Sequence, residues 1–213
     1  MSHDKFKVMK TLFTLAFLVL ISGVAQAQDS IRNKHVVIGL YTNIGINQPI
    51  PFNRLDLYNG VSEKSLGRGS YSAGIMLSRA IGKKYEISVA AVYSVHKVGT
   101  KYSPHPSYNK GIYFENLEIF NVPITLKRYF RNNYFINLGT IIDFDAPRNY
   151  SSLGSLTGFG LKLGYGKEIR IQNFIIDISP NLEIHSIYSF QPTELKDKLL
   201  VLGIRIGLSN YCP

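Results

Sequence analysis

Four residues of this chain have the side-chain types that acyl transfer uses: a hydroxyl at Ser94, imidazoles at His96 and His185, and a carboxylate at Asp143. A hydroxyl becomes a nucleophile when an imidazole takes its proton and a carboxylate orients that imidazole, so the set points to a hydrolase or a lipid acyltransferase. No local motif joins the four, and only the elements that carry them can bring them together. The second candidate is Gly158-Phe-Gly-Leu-Lys-Leu-Gly-Tyr-Gly-Lys-Glu-Ile169. A phosphate loop needs glycines where backbone N–H groups approach the anion, and a helix behind them to supply a dipole. No helical pattern follows here. His96 and His105 lack the spacing of a metal pair, and Cys212 is the single cysteine, so the sequence calls for no metal, disulfide framework or cofactor.

Read in steps of two, the glycine-rich stretch sets Phe159, Leu161, Leu163, Tyr165, Lys167 and Ile169 against Gly158, Gly160, Lys162, Gly164, Gly166 and Glu168. That is a strand with one apolar face and one small or charged face. Glycine weakens a strand, so four on one face imply a crowded interior where larger side chains would collide. Similar period-two segments recur at about 36–46, 70–81, 85–97, 116–129, 134–144, 157–169, 174–185 and 199–209. Most are longer than a soluble strand and match the roughly 9–11 residues of a tilted strand in a bilayer. Connections alternate between tight (82–84, 131–133, 170–173) and long (47–69, 98–115, 145–156, 186–198). The pattern predicts an all-β fold: an eight-stranded antiparallel up-and-down transmembrane barrel with short periplasmic turns and long extracellular loops.

Alternation alone also fits a soluble, lipocalin-like periplasmic barrel with its apolar face inside. The composition of the second face favours the membrane barrel and leaves the soluble one as the alternative. Gly39, Gly45, Gly74, Ser88, Ala90, Gly139, Gly203 and Gly207 belong in a narrow lumen and have no reason to crowd a water-facing surface. The lumen then carries a polar network of Glu86, His96, Lys162, Glu168, Asp177, Glu183, His185 and Arg205, with Asp143 beside it. Lys162 and Arg205 face Asp177 and Glu183 as a structural plug, since isolated buried charges are prohibitive. The cations of the apolar face, Arg79, Arg128 and Lys167, all fall near tight turns, where a long stem can snorkel to an interface. With Tyr85, Tyr134 and Phe174 they serve as interface anchors. Ser94, His96, Asp143 and His185 lie toward the long-loop rim, which is where an enzyme site would open.

Lys5, Lys7 and Lys10, the apolar run Thr11 to Val24, and Ala25-Gln26-Ala27 read as a secretory signal peptide cleaved near Ala27. Residues 28–213 form the barrel domain. Removing the three lysines and one aspartate of 1–27 from 24 Lys+Arg and 14 Asp+Glu leaves 21 against 13, a mature charge of +8. Ten of those cations, Lys127 among them, map to the short-turn rim, where a basic collar faces anionic headgroups. A secreted chain without a recognition helix is not a nucleic-acid binder. The expected partners are outer-membrane lipid and a protein meeting loops 47–69 and 98–114; Tyr102, His105, Tyr108 and Tyr113 in the second loop either form that surface or pack over the barrel mouth.

Leu117-Glu-Ile-Phe-Asn-Val-Pro-Ile-Thr-Leu-Lys-Arg-Tyr-Phe130 resembles a strand common to the outer-membrane β-barrel domain family of Bacteroidetes-type bacteria, the PorT-like barrels, and 158–169 is similar to that family's sixth strand. The resemblance implies an eight-stranded barrel in the outer membrane of a Gram-negative bacterium, linked in some members to protein secretion. The expected function is a small, non-catalytic integral barrel with a structural or interaction role. Pro123 and Pro180 fall inside strands of a sheet without edges, which predicts a bulge at each.

Overall fold

The computed structural model describes residues 36–50, 64–82, 84–101, 112–146, 155–171, 174–190 and 198–210. The signal peptide, Arg32, Lys34, Lys83, Tyr102, His105, Tyr108 and Cys212 lie outside them. Eight strands follow in order: β1 (Val36–Ile50), β2 (Lys64–Ile81), β3 (Tyr85–Lys101), β4 (Ile112–Tyr129), β5 (Tyr134–Asp145), β6 (Gly158–Ile171), β7 (Phe174–Ser189) and β8 (Lys198–Asn210). Each strand neighbours the next, and β1 pairs antiparallel with β8, so the sheet closes as an eight-stranded up-and-down barrel. Closure leaves no strand edge exposed.

The tight turns use residues that tolerate the left-handed region. Gly82 has φ +68° between β2 and β3, and Asn132 and Asn133 have φ near +60° in the 3₁₀ turn between β4 and β5. Most strands run about four residues past their periodic segments at the opposite, long-connection end. There the interior is itself apolar, made of Val98, Leu117, Ile119, Leu156, Leu199 and Val201. The period-two contrast fades while the ladder continues.

Along each strand the faces sort the opposite way from a soluble ligand-binding barrel. Ile38, Leu40, Ile44, Leu138, Leu161 and Ile204 point outward, with Ile44 65% and Leu138 60% exposed. Asn43, Asn137, Asp177, Lys162 and Arg205 point inward, the last two 1% exposed. The glycines of the inner face make room. A Cβ on Gly45, Gly74, Gly139, Gly158 or Gly160 would stand 2.1–2.4 Å from a carbonyl oxygen of the next strand. One on Gly166 would stand 2.7 Å from Cζ of Phe135.

The expected bulges at Pro123 and Pro180 are absent. The β4–β5 and β7–β8 registers run through both prolines without a shift, and on their other sides β3–β4 and β6–β7 only miss two pairs each. An antiparallel residue directs its N–H to a single neighbour, so a proline costs one ladder bond and leaves the strand straight. The register shifts fall instead between Gly67 and Ser70 of β2 and opposite Gly160, where Ser186 of β7 has φ +56°. That second shift turns both His185 and Ser186 inward.

Candidate functional site

The interior is built in tiers, because antiparallel register sets inward residues of adjacent strands side by side. Nearest the tight turns, Lys127 Nζ lies 3.1 Å from Asp177 Oδ2 and 3.0 Å from Glu86 Oε1. Arg205 Nη2 donates to Asp177 Oδ1 at 2.6 Å. The Tyr129 hydroxyl sits 2.9 Å from Glu86 Oε2 and 2.7 Å from Glu168 Oε2, and donates to one carboxylate at a time. Arg170 Nε reaches Glu168 Oε1 from the rim at 2.8 Å. Phe135, fully buried, fills the space left by Gly166, with Lys127 Nζ 5.0 Å and Arg205 Cζ 5.8 Å from its ring centre.

In the middle tier Lys162 pairs with Glu183, directly across the β6–β7 ladder. Lys162 Nζ also donates to the Tyr41 hydroxyl at 2.5 Å, and that hydroxyl donates to Glu183 Oε1 at 3.2 Å. Asn181 Nδ2 adds a bond to the same oxygen at 2.9 Å. A buried charge is tolerable when paired and hydrogen-bonded, and Lys162 and Glu183 meet both conditions.

The third tier holds the four residues cast above as acyl-transfer groups, and the structure does bring them close. Asp143 accepts from Asn121 Nδ2 at 2.7 Å, meets His185 Nδ1 at 3.0 Å and receives the Ser186 backbone N–H at 3.3 Å. His96 packs edge-on against His185, ring centres 5.4 Å apart. Ser94, however, bonds Asn121 Oδ1 and lies 2.9 Å from Ser72 Oγ. The imidazole that Asp143 orients turns its other nitrogen toward Glu183 Oε2, 3.6 Å away, and not toward Ser94. Among the described residues no imidazole or carboxylate bonds this hydroxyl, and Ser94, His96, Asp143 and His185 are all buried. The apolar cluster of Val98, Leu117, Ile119, Leu156, Leu199 and Val201 lies at the long-connection end.

Every member of the expected polar network, Glu86, His96, Lys162, Glu168, Asp177, Glu183, His185 and Arg205, lies inside the barrel. Lys127 and Tyr129 correct the reading of the rim. Lys127, counted in the basic collar facing headgroups, points into the interior, and Tyr129 bonds there to Glu86 and Glu168. Parity along β4 carried the signal, since Asn121, Thr125, Lys127 and Tyr129 share one face and Phe120, Ile124, Leu126 and Arg128 the other. Tyr41, Asn43, Asn121 and Asn181 are further members that charge alone does not reveal. Among the described residues, no group of three or more His, Cys, Asp or Glu side chains is spaced to hold a metal.

The anchor residues sit on the outer face by the tight turns. Lys167 Nζ lies 5.3 Å from the Tyr134 ring centre, Tyr134 stacks on Tyr165 at 5.8 Å, and Arg128 Cζ is 5.5 Å from the Phe130 ring centre. Tyr85 and Phe174 are exposed, and Arg79 is half-buried.

No protein-family model matches the chain. No curated protein matches it. Among solved structures it is similar to the outer membrane protein OprG from Pseudomonas aeruginosa, at 13% identity over 84% of this chain and 96% of that one, with a TM-score of 0.43. It is also similar to Ail of Yersinia pestis, at 12% identity over 81% and 98%, TM-score 0.40. The translocator domain of the autotransporter NalP from Neisseria meningitidis matches at 10% identity over the full length of both chains, TM-score 0.28. The barrel itself is read from the chain's own closed ladder of strands.

Proposed function

We propose that the chain is an integral outer-membrane barrel with a closed lumen, which serves as a non-catalytic anchor for the connections at its long-loop end. One observation carries this reading: the aliphatic side chains circle the outside while the ion pairs fill the inside. Soluble monomers rarely expose apolar patches beyond a few hundred Å², and a continuous belt of exposed Ile, Leu, Val and aromatics suits hydrocarbon. A strand barrel also meets the demand that every backbone polar group in a bilayer be bonded internally. The interior supports closure, since Phe135, the Lys162–Glu183 pair and the apolar cluster at the long-connection end fill successive tiers. A PorT-like relationship, with export by a cleaved signal, belongs to this reading and is supported by the 117–130 and 158–169 motifs.

The test is heat-modifiable gel migration of protein from urea-washed outer membranes, with planar-bilayer conductance on the same preparation. The reading expects a migration shift on boiling and no stable open channel. Extraction by urea, or steady conductance, would contradict it. A lipid-substrate panel run with Ser94→Ala and His96→Ala variants addresses the enzyme reading, and no turnover above background is expected.

A further inference from the structure

A groove of about 650 Å³ opens on the outer face at the start of β2. It is lined by Ile46, Leu200 and Leu202 from β1 and β8 and by Gly67, Arg68 and Gly69 from β2. The sequence forms the groove through the register shift between Gly67 and Ser70. A Cβ on Gly67 would lie 1.6 Å from the Asn47 carbonyl oxygen, so no side chain can stand there, while one on Gly69 would meet nothing within 4 Å. Asn47, buried in the barrel wall, clamps the shifted segment: its Nδ2 donates to the Gly69 carbonyl at 3.0 Å and its Oδ1 accepts the Arg68 N–H at 3.0 Å. The Arg68 guanidinium lies over the Phe114 ring, 4.2 Å from its centre, and Lys97 Nζ lies 5.6 Å from the same centre.

Depth identifies the occupant. Ile46 and Leu202 are paired across β1–β8 inside the apolar belt, and the next outward pairs toward the long-loop rim, Gln48 with Leu200 and Ile50 with Lys198, mix polar and apolar side chains. On the membrane reading, the groove lies at the long-loop end of the apolar belt, where polar side chains enter the outer face. Its wall suits an acyl chain. Arg68, which borders the groove, holds its guanidinium over Phe114 of β4 beside Lys97, so the cations stand on the β3–β4 side of the apolar wall; the planar fork of a guanidinium fits a phosphate through two parallel hydrogen bonds. A volume of this size is in the range of ligand sites.

We infer that this groove binds one phosphate-bearing acyl lipid of the outer leaflet, with Arg68 on the phosphate, Lys97 as a second cation, and an acyl chain against Ile46, Leu200 and Leu202. The inference rests on the membrane reading above.

The test is native mass spectrometry of the full mature chain in detergent, titrated with diphosphoryl lipid A and, separately, with the same lipid after dephosphorylation. One retained adduct is expected for the phosphorylated lipid. Arg68→Ala should weaken it roughly tenfold, the scale of a lost charge-assisted hydrogen bond. Gly69→Phe, which keeps the charge and fills the groove, should abolish it, and Arg131→Ala at the opposite turn should leave it unchanged. Equal retention of both lipids, insensitivity to Arg68→Ala and Gly69→Phe together, or a second copy of the chain in place of the lipid would overturn the inference. Heat-modifiable migration of the same sample separates the two levels. A folded barrel without a phosphate-dependent adduct removes the lipid site alone, whereas a sample that never shows membrane-type folding removes both.

Discussion

The carboxylate of Asp177 occupies the place where Gly207, its direct partner across β7–β8, lacks a side chain: a Cβ on Gly207 would lie 2.5 Å from Asp177 Oδ2. The missing atom lets one carboxylate turn along the lumen and meet both Arg205 and Lys127. Gly207→Val would drive a branched side chain into that space. Overpacking a tight interior typically costs about 1–3 kcal/mol, and here it also displaces a charged group. The expected outcome is a lower urea midpoint for the barrel refolded in lipid vesicles, followed by the folded-to-unfolded gel shift, with Gly207→Ala affected less.

Asp177 itself should matter more than any cation of the outer rim. Its removal leaves Arg205 and Lys127 buried without their shared partner, and breaking a buried pair costs about 3–5 kcal/mol. Asp177→Ala is therefore expected to fold poorly or not at all. Arg128→Ala, on the exposed outer face, should cost less than about 1 kcal/mol in the same unfolding experiment.

Asp143 predicts a structural and not a catalytic phenotype. It collects Asn121, His185 and the Ser186 backbone N–H in the interior. Asp143→Ala leaves buried donors unsatisfied at about 1–3 kcal/mol each. Ser94→Ala removes a single hydroxyl whose neighbours can re-pair, so it should cost about 1 kcal/mol. A serine nucleophile would give the reverse ordering in an activity assay, with Ser94→Ala silent in stability and null in turnover.

Legibility in the sequence followed the strength of the period-two contrast. β6 states its geometry outright, because Gly158, Gly160, Gly164 and Gly166 alternate with large apolar side chains, and all eight strands were visible for the same reason. Strand ends at the long-connection side were not, because Leu117 and Leu199 are apolar and inward, which erases the contrast there. Nearness to a tight turn puts Lys127 in the basic collar, a criterion blind to which face the side chain takes. Only its parity with Asn121 and Thr125 distinguishes the two. The groove at Arg68 was hidden because it depends on a one-residue register shift, and no residue type announces which of two neighbouring glycines a ladder will skip.

Outward substitutions should follow depth. Leu138 stands mid-strand on the outer face, so Leu138→Arg is expected to cost about 2–4 kcal/mol, the penalty of a cation at a bilayer midplane. A lysine placed at Phe174, beside a tight turn, should cost about 0–1 kcal/mol by the same gradient. Equal costs at the two positions in vesicle unfolding would argue against a bilayer around the belt.

The most direct test of the central claim uses the absence of tryptophan from the chain. A single tryptophan is introduced at Leu138 or at Ile204, the protein is reconstituted in vesicles, and fluorescence is measured with lipids brominated along the acyl chain and with aqueous iodide. The account predicts blue-shifted emission at both positions, strong quenching by the brominated lipid and none by iodide. Red-shifted emission quenched by iodide and indifferent to the brominated lipid would contradict it.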